Sequence, residues 1–338
     1  MESIIQLPIT DVVPFHAYQT RGMEAGILLA SVENAKEFLF NSCINYFFRF
    51  GEGKRFFDYT CDKRSWFFGQ DVFYRQTYTV DMERETRAEI LKKILHWLSH
   101  GIYVYGFFNE KYIPHKGAYG RQDFQHAYLI YGCDQPRELF FAMGYTDNRK
   151  FEKYTIAYPD FFNGIEHIKE PIFWLKYLNT NRAYAFDLHQ VYWELRDYLF
   201  SQYTVQEGYG KHPEERYGVS ANQAFRKYVC RVEDDDGYLD PRYSRFFYEN
   251  KQFMLERLCY MHQCGYIGDY SEAYAALTKQ SQTVHLLFLK YHITHHPRIP
   301  ADIGRLLGQV NDADERILNQ VFDELTQHFE KERQGNYR

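Results

Sequence analysis

FQHAYLIYGCD, residues 124–134, is the stretch from which the fold of the first half can be read. Ala127 to Tyr131 form an apolar, β-branched and aromatic run of strand length, closed by Gly132. The turn-forming CDQPR, 133–137, leads into a second apolar run, ELFFAMGY, 138–145. Two such runs around a turn carrying Gly132 and Pro136 predict an antiparallel hairpin. His126 stands just before the buried run, where a rigid scaffold meets water. A histidine there either caps the strand or serves as an acid or base.

Working outward, IYVYGFF, 102–108, reads as a third strand, and KYTIAY, 153–158, as a fourth, ending before Pro159. Two segments have helical spacing. GMEAGILLASVENAKEFLF, 22–40, has apolar residues at 23, 27, 28, 35, 38 and 39. ERETRAEILKKILHWLSHG, 83–101, has Ile90, Ile94, Leu95, Trp97 and Leu98, with Gly101 as its stop. Helices followed by antiparallel strands predict an α+β fold, with the sheet containing 102–108, 127–132 and 138–145. After residue 176 the texture turns helical, through 189–203, 221–232, 244–265, 271–293 and 311–332. Polar breaks at 206–218 and 233–241 separate these segments, and no repeat of fixed period joins them. The expected division is a domain over 1–175 and a helical domain over 176–338.

Composition narrows the function classes. The 338 residues include 31 Tyr and 29 Phe, which predicts large rings in the core and hydroxyls at its edges. A net charge of −5 and the lack of a basic stripe between aromatics argue against nucleic acid as a partner. The start, MESIIQLPITDVVPF, has no basic region before an apolar core, and no window reaches membrane-helix length, so no membrane partner is expected. Six cysteines without a dense framework fit a reduced, cytoplasmic protein. The pair Cys259 and Cys264 reads as helix packing. His292, His295 and His296 close a helix, where histidine is favoured electrostatically. EDDDGYLD, 233–240, lacks calcium-loop spacing, and GEGKRF, 51–56, lacks the pattern of a phosphate loop. No metal or cofactor is expected.

Residues 100–134, HGIYVYGFFNEKYIPHKGAYGRQDFQHAYLIYGCD, resemble the butirosin biosynthesis protein H family. The strand at 101–108, the loop Tyr112-Ile113-Pro114, His126 and the turn Gly132-Cys133-Asp134 carry the resemblance. Leader peptidases of bacteriocin transporters share the same skeleton. The resemblance implies a papain-like domain followed by a helical region, with His126 as the catalytic histidine. It also implies a chemistry, acyl transfer from a carrier-protein thioester to an amine or peptide. In that chemistry a thiolate is activated by the imidazole and an acid orients the ring.

This chain departs from that pattern. The nucleophile belongs at the start of the first long helix, near FHAYQTRGMEAG, 15–26, yet no cysteine precedes Cys43. Cys43, in FNSCINYFF, reads as a packed core thiol, with a displaced nucleophile as the alternative. The position for the acid falls at Gly144, and Asp147 three residues on is the nearest carboxylate, either as the acid or as a turn residue. Asn109 stands where an acidic residue is expected before the loop, with Glu110 beside it. The candidate site is therefore His126, Asp147 and Cys43. His126 is expected to line a cleft between the first long helix and the sheet, with Asp147, Asn109 or a carbonyl against one ring nitrogen. Two readings follow: an acyltransferase or amide-forming or amide-cleaving protein of natural-product assembly, or a catalytically inactive papain-like accessory protein. The latter would bind a carrier domain, a peptide or a synthetase.

Overall fold

The computed structural model describes residues 4–50, 55–60, 72–204, 213–232 and 237–335. In chain order the first elements are β1 (Ile4–Gln6), α1 (Gln19–Ser31), α2 (Ala35–Leu39), β2 (Tyr46–Arg49), β3 (Phe56–Tyr59) and β4 (Phe73–Thr79). Next come α3 (Arg87–Ser99), β5 (Tyr103–Asn109), β6 (Gln125–Asp134), β7 (Leu139–Tyr145), β8 (Phe151–Ala157), α4 (Tyr158–Glu166) and β9 (Ile172–Leu178). The last are α5 (Leu188–Leu199), β10 (Glu215–Tyr217), α6 (Gly218–Cys230), α7 (Pro241–Gln263), α8 (Ser271–Thr294) and α9 (Ile299–Gly335). Contacts divide the chain into two units, Met1–Ala35 with Phe68–Tyr184, and Lys36–Phe67 with Ala185–Arg338.

The first unit is the expected α+β arrangement, and its sheet is antiparallel throughout. The strand order is β4-β9-β5-β6-β7-β8, and β1 pairs with the far end of β6. β6 is long enough to serve two partners on one side, β5 along Gln125–Ile130 and β1 along Gly132–Asp134. A bulge between Ile130 and Gly132 separates these two stretches. Gly132 is required there, since a Cβ would stand 2.2 Å from the Ile5 carbonyl oxygen.

One face of this sheet carries an apolar core. Ile90, Ile94 and Leu98 of α3 recur every fourth residue and pack there with Phe161, Phe162 and Ile165 of α4. α3 opens with a capping box between Thr86 and Glu89. It closes as a Schellman motif, with Gly101 at φ +76° and the Ile102 amide donating to Trp97 at 3.0 Å. α1 lies on the other face. There Glu24 accepts from Lys176 Nζ of β9 at 2.5 Å and from Arg75 Nη2 of β4 at 3.3 Å.

Two expectations need correction. The helix read over 22–40 is two helices, because Val32 is extended and ends α1. The boundary expected near 176 falls inside β9, which pairs with β4 and β5. β9 was masked by its own chemistry, since alternate residues face a core and a buried ion pair, leaving Lys176 in an apolar run. The second unit is mostly helical but takes in residues 36–67, and its β2, β3 and β10 form a three-stranded antiparallel sheet. The polar break 206–218 lies outside the described residues up to 212, the acidic turn 233–241 up to 236, and GEGKRF up to 54. Cys61 also lies outside them. Among the described residues no helix is long and apolar enough to cross a membrane.

Candidate active site

Strand alternation fixes where His126 points. His126 pairs with Phe108, and Tyr128 stacks on Phe108 with ring centroids 4.9 Å apart. Phe108, Tyr128 and Ile130 all belong to the core under α3 and α4. Successive side chains in a strand take opposite faces, so His126 shares the α3/α4 face. α1 is on the opposite face, where Met143 of β7 pairs with Leu129 and lies against Gly26. The cleft expected between His126 and α1 is thus not formed. The residue adjacent to it, Ala127, is the one that reaches α1, through its carbonyl.

The acid partner of His126 is Glu110. His126 Nδ1 lies 2.6 Å from Glu110 Oε1, and the two side chains are 30% and 6% exposed. Glu110 sits where β5 runs into a 3-10 turn, Glu110–Tyr112. Its amide donates to the Phe124 carbonyl at 2.8 Å, tying the turn to the strand that carries the histidine. Asn109 completes the tie. Its Oδ1 accepts from the Lys111 and Phe124 amides, both at 3.2 Å, and its Nδ2 donates to Asp123 Oδ1 at 2.8 Å. The amide at the expected acidic position is thus a structural staple, and the carboxylate one residue on faces the ring. The ring's second nitrogen, Nε2, has no hydrogen-bond partner among the described residues. Phe124 stands beside the ring, centroids 5.3 Å apart.

A buried amine adjoins the pair. Lys116 is buried, donates to the Tyr145 carbonyl, and lies 3.9 Å above the Tyr154 ring. Burial lowers its ammonium to about 8, against the opposing pull of Glu110, Asp147 and Glu152. The hydroxyls of Tyr128 and Tyr154 are buried without a hydrogen-bond partner among the described residues, and burial raises both well above the usual tyrosine range. Asp147 contributes its charge to Lys116, while its amide donates to the His115 carbonyl at 2.9 Å. No hydrogen bond joins Asp147 to His126.

The start of α1, where the resemblance calls for a thiol, holds Gln19. Its Nε2 donates to the Ala127 carbonyl at 3.0 Å and its Oε1 accepts from the Tyr145 amide at 3.2 Å. Gln19 therefore bridges β6 and β7 and fills the helix start with backbone hydrogen bonds. Cys43 belongs to the other unit, where it is buried at φ +62° with Sγ 3.8 Å from Ser42 Oγ. Among the described residues no group of three or more His, Cys, Asp or Glu is placed to hold a metal ion.

Together, Glu110 and His126 form an oriented acid–base pair with one ring nitrogen open. Lys116 was not visible from sequence spacing, since its role comes from burial in a loop. Glu110 was visible only as a neighbour of Asn109. Against models of known protein families and against curated protein sequences, the chain gives no significant match.

Proposed function

We propose that the chain transfers an acyl group from a carrier-protein thioester to an amine or peptide, with His126 as general base and no protein thiol. The observation that carries this reading is the 2.6 Å contact from Glu110 to Nδ1, which leaves Nε2 free to take a proton. In the proposed step the amine nitrogen attacks the thioester carbonyl as Nε2 removes its proton. The C–N bond forms, the C–S bond breaks, and the departing thiolate takes the proton back from the imidazolium. Glu110 stabilises that imidazolium, the role of the acid in histidine-based acyl transfer. The sequence resemblance to the butirosin biosynthesis protein H family supplies the substrate class, and the cysteine pattern supports a reduced, cytoplasmic setting.

A second reading is a catalytically inactive accessory protein that binds a carrier domain, a peptide or a synthetase. Gln19 favours it, since that side chain closes the helix start where the family places its nucleophile. The two readings separate in one assay, in which acyl-pantetheine and carrier-bound thioesters are offered with a panel of amines and amide product is followed by mass spectrometry. The transferase reading expects product from the wild type. It also expects kcat lower by roughly 10²–10⁴-fold in His126→Ala, with a smaller fall in Glu110→Gln. Saturable binding of the carrier without turnover would establish the accessory reading instead.

A further inference from the structure

In the helical unit, a pocket of about 360 Å³ lies between α6 and α9. That size is near the lower end of the ~300–1,000 Å³ range of small-molecule sites. The two helices approach closely because α9 has glycine where α6 needs room. A Cβ at Gly304 would stand 2.5 Å from Cys230 Sγ, and one at Gly308 would stand 3.1 Å from Arg226 Cζ.

The walls carry opposite charges. α6 contributes Arg226 and Lys227, and α9 contributes Asp312 and Glu315. Arg226 Nε donates to the Gly304 carbonyl at 2.8 Å, which holds the guanidinium in place. Its terminal nitrogens have no carboxylate partner among the described residues, and no ion pair there joins the two walls. Between them lies Asn311, only 8% exposed, whose Oδ1 has no hydrogen-bond partner among the described residues. Buried acceptors without donors are rare in folded proteins, and each one points to something missing.

We infer that this pocket binds a small zwitterion with the chemistry of a free α-amino acid. Its carboxylate faces Arg226 and Lys227, where a guanidinium offers paired donors. Its ammonium faces Asp312 and Glu315, and a rotation of the Asn311 side chain brings its sealed Oδ1 out to accept from it. A simple anion would leave Asn311 and two carboxylates facing negative charge. A simple cation would meet Arg226 and Lys227. A ligand of both signs satisfies both walls, and this assignment is independent of the acyl-transfer reading.

The test is a screen of the proteinogenic amino acids against the full chain by saturation-transfer NMR, with calorimetry on those that bind. At least one amino acid is expected to bind with Kd below about 10 mM. Its N-acetyl and carboxamide derivatives are expected to bind at least roughly tenfold more weakly, each having lost one of the two charges. Arg226→Met and Asn311→Leu should each weaken binding by a similar factor. The double variant Asp312→Asn with Glu315→Gln, at exposed positions, supplies the same test if either of those variants misfolds. Absence of binding by every amino acid, equal affinity for the N-acetyl derivative, or undiminished binding in the folded variants would overturn the assignment.

Discussion

Lys116 holds its ammonium where water does not reach, and this ties stability to pH in one direction. Its amine titrates at about 8 in the folded chain and at the ordinary 10.5 when unfolded. Below about 8 the group is charged in both states and burial weighs fully against folding. Between about 8 and 10.5 the unfolded chain binds more protons, so this group's contribution to stability rises with pH. Crossing the whole interval from about 8 to 10.5 is worth about 3 kcal/mol. Urea unfolding of the wild type and Lys116→Met at pH near 7.5 and near 10 isolates the group, since other titrations are common to both. The wild type is expected to gain on the variant by about 2 kcal/mol across that window, most of the full difference. Parallel pH dependences would mean that the amine is hydrated in the folded state. At this scale His126 was legible, because a histidine at the mouth of a buried strand is a local pattern. Glu110 was not, because its pairing depends on where β5 ends and how the loop folds back through Asn109.

Helix α1 meets the rest of its unit through glycine. Gly22 and Gly26, one turn apart, both face close neighbours, and a Cβ at Gly26 would stand 2.3 Å from the Thr10 carbonyl oxygen and 3.2 Å from Met143 Cε. The Thr10 amide in turn donates to the Gly26 carbonyl at 3.1 Å, so helix and incoming segment are locked backbone to backbone. Gly26→Ala therefore gains helix propensity but forces these backbones apart. The expected net cost is about 1–3 kcal/mol, since overpacking outweighs the ~1 kcal/mol of propensity. A raised thermal midpoint in this variant would show that the segment at Thr10 yields freely. Elements with one apolar face, such as α3 with Ile90, Ile94 and Leu98, were readable from spacing alone. β9 and the break at Val32 were not. The first carries a buried lysine that only Glu24 on α1 explains, and the second interrupts an apolar pattern that continues beyond it.

For the chain as a whole, the division into units follows buried polar chemistry as much as hydropathy, and so it was not legible as one boundary. Residues 36–67 join the helical unit, and Tyr46 shows how. Its hydroxyl donates to Asn222 Oδ1 at 2.6 Å and lies 3.1 Å from Lys251 Nζ. Lys251 and Asp314, each 1% exposed, pair at 2.8 Å. Asp314 also accepts from Tyr274 Oη at 2.5 Å and from the Tyr198 hydroxyl. Segments distant in sequence thus converge on one carboxylate. Breaking a buried pair leaves an uncompensated charge and costs about 3–5 kcal/mol. The two halves of this pair are not equivalent. Lys251→Met leaves a carboxylate that still receives two hydroxyl donors. Asp314→Ala leaves a buried ammonium and two tyrosine hydroxyls without their acceptor. Asp314→Ala is therefore expected to be the more destabilising, and the double variant to cost less than the sum of the two singles. Far-UV circular dichroism during urea unfolding measures all three, since most of the helix lies in this unit. Costs that simply add, or a Lys251→Met loss exceeding that of Asp314→Ala, would mean that the carboxylate does not organise the cluster. Tyr46 would then hold residues 36–67 to the helices through Asn222 and its ring contacts alone.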